Sequence, residues 1–258
     1  MTISLPVDVE VLEAGDPEAR TALVLHGGGG PQTVAPIVGH LAPTFHTLAP
    51  THPGWNGTSR PDDIDSIPAL ASAYLDHLLA DGGRDVLLVG SSIGGWIALE
   101  MAIQAAADDR YTGLIGAMVD IDGVGAVVDG EPIADFFALD ARGLAEVAWH
   151  DPERGYMDPA SFTDQQRTIL RSNAQTMAVV AGPAMSDSTL LSRLGSVNVP
   201  TLVVFGESDR VVTPAYGRAV ADAIPEAAFV AVPAAGHLPH LEDPAATWAA
   251  IDPFIARS

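Results

Sequence analysis

The spacing of apolar residues changes period several times along the chain, and each change marks an element. Apolar and acidic residues alternate over 7–12, the two-residue period of a half-buried strand. A short apolar run at 21–25 reads as a buried strand and ends in "HGGGG". A short helix is predicted over 34–41 and a strand over 45–49, followed by a loop rich in turn residues, "PTHPGWNGTSRP". Apolar spacing near 3.6 predicts a helix over 67–79. Then come a strand at 86–89, a helix of small and apolar residues at 93–107, and a strand at 114–121. After a long break the rhythm resumes with the strand of "VPTLVVFGESD", a helix over 214–223, a strand over 229–232 and a helix over 245–255.

Strands alternating with helices predict an α/β fold, with a mostly parallel sheet covered by helices on both faces. The break spans 123–190. Its pattern is irregular and helical, punctuated by "DGEP", "HDPERGYMDP" and "AGPAMSD". A strandless stretch of that length is too long for a loop and reads as a helical insertion. The expected organisation is therefore a core of 1–122 and 191–258, with a helical cap of 123–190 inserted into it. A chain of 258 residues fits one such unit.

Composition narrows the chemistry. All twelve basic residues are Arg, so Schiff-base chemistry and a phosphate-loop lysine are both excluded. A net charge of -21 repels nucleic acid and anionic lipid, leaving a small-molecule substrate as the expected partner. The absence of cysteine removes disulfides, zinc–thiolate sites and thiol nucleophiles. The start, "MTISLPVDVEVLEAG", carries no signal-like pattern, and no apolar stretch reaches membrane-spanning length. The expectation is a cytoplasmic protein without a membrane span, as monomer or homodimer.

The chemistry concentrates at "DVLLVGSSIGGWIALEMA", where a strand runs through a sharp turn into a helix. Gly90 and Gly94 lie two residues either side of Ser92, where a Cβ would collide across the turn. Ser91 has no such flanks. Ser92 is therefore the expected nucleophile, with the Ile93 amide behind it at a helix N-terminus, where donors are free and negative charge is favoured. A serine hydroxyl needs a base. His237 follows the last strand in "AGH" and is preferred, with His240 as its rival. The base needs an orienting carboxylate. Asp209, after the penultimate strand, is preferred over Glu207 and Asp122. In "HGGGG" the glycines let a backbone N–H approach a reacting carbonyl. Gly28 and Ile93 are expected to form the oxyanion hole, with Gly29 in reserve. The run lacks phosphate-loop spacing and is followed by Pro31. His26 is expected to hold this loop.

Together, "LVLHGGGG", "APTHPGWNGTSRP", "VLLVGSSIGGWIALEMA", "TLVVFGESDRVVTP" and "VAVPAAGHLPHLEDP" resemble the α/β-hydrolase superfamily, in particular its capped esterases and carbon–carbon bond hydrolases. The matching segments span nearly the whole chain outside 123–190. The resemblance implies an eight-stranded α/β-hydrolase sheet, a cap inserted after the sixth strand, and a triad of Ser92, Asp209 and His237. In the carbon–carbon hydrolases of this superfamily, Asn usually precedes the nucleophile and Trp follows the histidine. Ser91 and Leu238 stand there in this chain.

The expected activity is hydrolysis of a small, mostly apolar ester through an acyl-enzyme, with no metal or organic cofactor. A carbon–carbon hydrolase or a cofactor-free perhydrolase on the same triad is an alternative, as is a non-catalytic ligand-binding protein of this fold. The pocket is expected to draw on Gly29, Trp55 and Leu238, and on Phe136, Phe137, Trp149, Met157 and Met177 of the insertion.

Overall fold

The computed structural model describes residues 2–5 and 7–258. In chain order the strands are β1 (Thr2–Ser4), β2 (Asp8–Ala14), β3 (Thr21–Leu25), β4 (His46–Pro50), β5 (Val86–Ser91), β6 (Ile115–Ile121), β7 (Gly125–Ala126), β8 (Ser186–Asp187), β9 (Thr201–Gly206) and β10 (Ala228–Val232). The helices are α1 (Ala35–Leu41), α2 (Ile67–Ala80), α3 (Ile93–Ala107), α4 (Ala141–Ala148), α5 (Pro152–Gly155), α6 (Asp164–Val180), α7 (Leu190–Arg193), α8 (Pro214–Ala223), α9 (Pro239–Glu242) and α10 (Pro244–Ile255).

The main sheet runs β1-β2-β4-β3-β5-β6-β9-β10. β2 is antiparallel to both β1 and β4, and every other pairing is parallel. The side-chain period of two divides each central strand between two cores. Leu23, Leu88, Val203 and Phe205 enter the core beneath α2, α3 and α8. Val24, Leu87, Val89, Leu202 and Val204 enter the other, against α1 and α10. Burial on both faces explains why β3, β5 and β9 read as apolar runs rather than as alternating ones.

Helix α3 is buried from Ile93 to Ile103, and its glycines explain how it lies so close to the sheet. A Cβ on Gly94 would fall 2.0 Å from the Leu25 carbonyl oxygen, and one on Gly95 would fall 2.0 Å from an Asp120 carboxylate oxygen. Trp96 packs in the core, with Gly125 against its ring.

The segment 123–190 is mainly helical, but it is not strandless as its pattern predicts. Gly125↔Ser186 and Ala126↔Asp187 form a two-residue parallel ladder where the segment leaves and rejoins the core. Two residues are too few to carry a period, which is why the sequence pattern hides this ladder. Among the described residues, no helix is long and apolar enough to cross a membrane.

Candidate active site

The turn after β5 places Ser92 at φ 57, ψ −118, a conformation costly for a non-glycine residue. The turn can close because Gly90 and Gly94 carry no side chains: a Cβ on Gly90 would lie 2.2 Å from the Gly94 oxygen. Neighbouring strands hold the strained residue. The Ser92 amide donates to the Ile121 carbonyl at 2.9 Å.

Two loops at the same sheet edge bring the partners. Asp209 follows β9, and its Oδ1 accepts from the Val211 and Val212 amides at 2.7 and 3.3 Å. Its Oδ2 lies 2.7 Å from His237 Nδ1. A carboxylate accepts, so Nδ1 carries the ring proton, and Nε2 is left to accept from the Ser92 hydroxyl at 2.9 Å. Asp209 is 3% exposed and His237 7%, so water does not compete for the inner hydrogen bond. A hydroxyl, an imidazole in the required tautomer and an ionisable carboxyl thus form one continuous chain, able to move a proton from Ser92 to His237.

The rivals lie elsewhere. His240 turns away: its Nε2 donates to the Thr33 carbonyl at 3.0 Å, and burial lowers its pKa to about 4. Glu207 is exposed. Asp122 is close, however. It is fully buried after β6, and its Oδ1 accepts from the Gly206 amide at 2.8 Å. Burial first, then the charge of Asp209 and a hydrogen bond to it, raise its carboxyl pKa well above the usual range. A protonated Asp122 donating to Asp209 accounts for both facts. Atoms of Asp122, Asp209 and His237 lie within 4.8 Å of one another, the spacing of a metal-ligand set. Here His237 presents a proton to Asp209 and its second nitrogen to Ser92, so the group reads as a hydrogen-bonded relay.

The glycine loop after β3 is held by two buried histidines and a tryptophan. His26 Nδ1 donates to the Gly27 carbonyl at 2.7 Å, so its Nε2 is the acceptor of the His52 amide at 3.0 Å. His52 Nε2 donates to the His26 carbonyl at 3.0 Å, which leaves its Nδ1 to accept from Tyr74 Oη at 2.6 Å. Both rings must be neutral in this arrangement, and burial lowers both pKa values, that of His26 to about 4. Trp55 Nε1 donates to the Gly28 carbonyl at 3.2 Å.

Above Ser92 lies a cavity of about 450 Å³. The core contributes Gly27, Gly28, Gly29, Thr33, Ile93, Val211 and Leu238 to its wall; the segment 123–190 contributes Ile133, Phe136, Leu144, Trp149, Met157, Phe162, Leu170, Asn173 and Met177, among others. Among the described residues lining it there is no Asp, Glu or Arg.

Two expected pocket residues do not line this cavity. Trp55 is fully buried beneath the glycine loop, edge-on to His26 and His52. Its indole faces inward because its N–H has the Gly28 carbonyl to satisfy. Phe137 is 38% exposed and packs edge-on against Phe136, because consecutive residues of this irregular segment face opposite ways. Several lining residues escape the sequence reading. Gly27 is one; a Cβ there would stand 2.9 Å from the Ser92 Cβ. On α6, Leu170, Asn173, Ala174 and Met177 share a face at spacings of three and four, so extending Met177 by helical period would have found the others.

A sequence profile described as "Alpha/beta hydrolase family" matches residues 22–250. Lipase 1 of Psychrobacter immobilis is 21% identical over 243 residues, covering 89% of this chain and 75% of that protein. The 2-hydroxy-6-oxo-6-(2'-aminophenyl)hexa-2,4-dienoic acid hydrolase of Metapseudomonas resinovorans is 25% identical over 259 residues, covering 92% and 84%. A thermophilic esterase of Thermogutta terrifontis superposes with a TM-score of 0.74 at 20% identity, covering 100% of this chain and 98% of that one, a likeness of fold.

Proposed function

Since the chain belongs to the alpha/beta hydrolase family, we propose that it is a serine hydrolase acting on a small, uncharged, mostly apolar ester through an acyl-enzyme, with 123–190 as a cap over the site. His237 Nε2 takes the proton of Ser92 as Oγ attacks the carbonyl carbon. Asp209 holds the ring and stabilises the imidazolium. The Gly28 and Ile93 amides receive the oxyanion, and each such donor contributes about 2.7–4 kcal/mol to lowering the barrier. His237 then protonates the leaving alkoxide. Water, deprotonated by the same ring, attacks the acyl-enzyme and frees the acid and Ser92.

The observation that carries this reading is the continuous Ser92–His237–Asp209 hydrogen-bond chain opening into an uncharged cavity. That cavity also ranks the alternatives. A dienoic acid of the kind named for the Metapseudomonas enzyme carries a carboxylate. A cavity without a cationic side chain gives that charge no partner for its desolvation. A neutral ester needs none.

The test is hydrolysis of p-nitrophenyl esters of graded chain length together with labelling by a fluorophosphonate. The wild type is expected to hydrolyse at least one ester and to take the label on Ser92, and Ser92→Ala is expected to do neither. Equal rates for wild type and Ser92→Ala across the series would defeat the proposal, and a wild type that binds esters without turnover would favour a ligand-binding protein.

A further inference from the structure

His237 sits beyond β10, on a loop whose backbone is tied to the inserted segment at two adjacent residues. The His237 amide donates to the Ala148 carbonyl at 2.7 Å. The Gly236 amide donates to Glu242 Oε1 at 2.6 Å. The other oxygen of the same carboxylate, Oε2, accepts from the His150 amide at 2.8 Å. Glu242 closes the one-turn helix α9 and is 7% exposed. It is not among the residues lining the cavity, and its side chain accepts from the Gly236 and His150 amides rather than from a relay side chain. One buried carboxylate therefore joins the backbone just before His237 to the segment just after α4.

We propose that Glu242 is a positioning residue, fastening the Gly236 backbone, and through it the ring of His237, to the stretch of the inserted segment just after α4, at His150. This rests on the reading of His237 as the base. Both donors are backbone N–H groups and neither can reverse its role, so the bridging group must accept on both sides. A carboxylate does so, with charge-assisted bonds. A carboxamide cannot, because its NH₂ would face an N–H. There is also no room for a looser join. A Cβ on Gly236 would stand 2.4 Å from the Ala148 oxygen and 2.8 Å from the Trp149 Cα. Freed from Glu242, the loop loses one of these two adjacent anchors, and His237 Nε2 loses its fixed distance from Ser92.

The test uses Glu242→Gln, which preserves volume and removes one acceptor, with Glu242→Asp as the second variant should the first fail to fold. Active sites are counted by fluorophosphonate titration, so that any misfolded fraction drops out. The expected result is a kcat per titrated site reduced by up to about 100-fold, the loss that a misplacement of about 1 Å can cause. KM should stay close to wild type, and phosphonylation of Ser92 should slow in parallel. A variant with wild-type kcat per titrated site and only a lowered Tm overturns the proposal, since that is the signature of a structural tie. A wild type that hydrolyses nothing and takes no label overturns the serine hydrolase reading instead. Positioning is then judged by NMR hydrogen exchange: faster exchange of the Gly236 amide together with a shifted His237 ring signal in Glu242→Gln supports the tie, and unchanged signals overturn it.

Discussion

Asp122 and Asp209 present nearly the same side chain close to His237, yet their environments differ. Asp209 accepts two backbone amides on one oxygen and the imidazole N–H on the other. Asp122 accepts one amide and lies fully buried beside Asp209, and burial first, then that neighbouring charge, push its carboxyl pKa well up. Their amide variants should therefore diverge. Asp209→Asn cannot stabilise the imidazolium and favours the wrong tautomer, so kcat should fall by about 10⁴-fold. Asp122→Asn reproduces the neutral acid, with an oxygen for the Gly206 amide and an N–H for Asp209, and should leave kcat near wild type. Steady-state kinetics on the two variants checks both, and a large loss in Asp122→Asn would mean that the proton on Asp122 has a role its amide cannot supply. The preference for Asp209 was legible from its place after a strand. The protonation of Asp122 was not, because it depends on a neighbour eighty-odd positions away in the chain.

At the scale of elements, the strand–turn–helix of β5 and α3 is set by where side chains are missing. Gly94 faces backbone that cannot move: a Cβ would lie 2.0 Å from the Leu25 oxygen. Gly39, on the exposed side of α1, faces open space. Gly94→Ala should abolish folding or activity, whereas Gly39→Ala should stabilise by about 1 kcal/mol, the helix propensity difference between the two residues. Urea unfolding with an esterase assay separates them. Helix α6 was foreseen only as part of an irregular helical insertion. Its start is a capping box, in which Thr163 Oγ1 accepts from the Gln166 amide at 3.2 Å and Gln166 Oε1 from the Thr163 amide at 2.8 Å. Its docking depends on partners far off in sequence. Asn173 accepts from the Asn56 amide at 2.8 Å, and Thr176 donates to the Gly54 carbonyl at 3.0 Å. Local spacing can mark such a helix but cannot say what it covers.

Across the whole molecule, buried titratable groups give stability two opposed pH dependences. His26 and His240 have folded pKa values near 4, and that of His52 is also lowered. The unfolded rings take up protons below about 6.5 and the folded rings do not, so these residues weaken the fold as pH falls from 6.5 toward 4. His26 and His240 each contribute up to about 3 kcal/mol to that loss, and His52 adds to it in the same direction. Asp120, buried under α3, has its pKa pushed up to about 7, and Asp122 shifts the same way. Unfolded, these carboxyls ionise from about 3.8 upward, while the folded ones keep their protons, so they weaken the fold as pH rises through that interval. Stability should therefore peak near pH 6 to 7, where the histidine loss is ending. Asp120→Asn should gain stability relative to wild type progressively from pH 4 to 7, by up to about 4 kcal/mol. Thermal melts of the pair across that range check it, and a difference that stays constant with pH would refute it. The comparison cancels nearly all the self-repulsion of a chain with a formal net charge of -21, because the variant differs at one buried position.

The alternation of the main strands and helices outside 123–190, the two-faced sheet and the glycines around Ser92 were determined by the sequence alone, because periodicity, turn chemistry and a missing Cβ are local properties that neighbouring residues express directly. The residues that converge on Ser92 were decided by tertiary structure. So were the inward turn of Trp55, the outward turn of Phe137, the neutral state of Asp122 and the double duty of Glu242. Each follows from distances between groups far apart in the chain, and from burial, which changes what a charge or an unpaired donor costs. Neither quantity exists until the chain has folded.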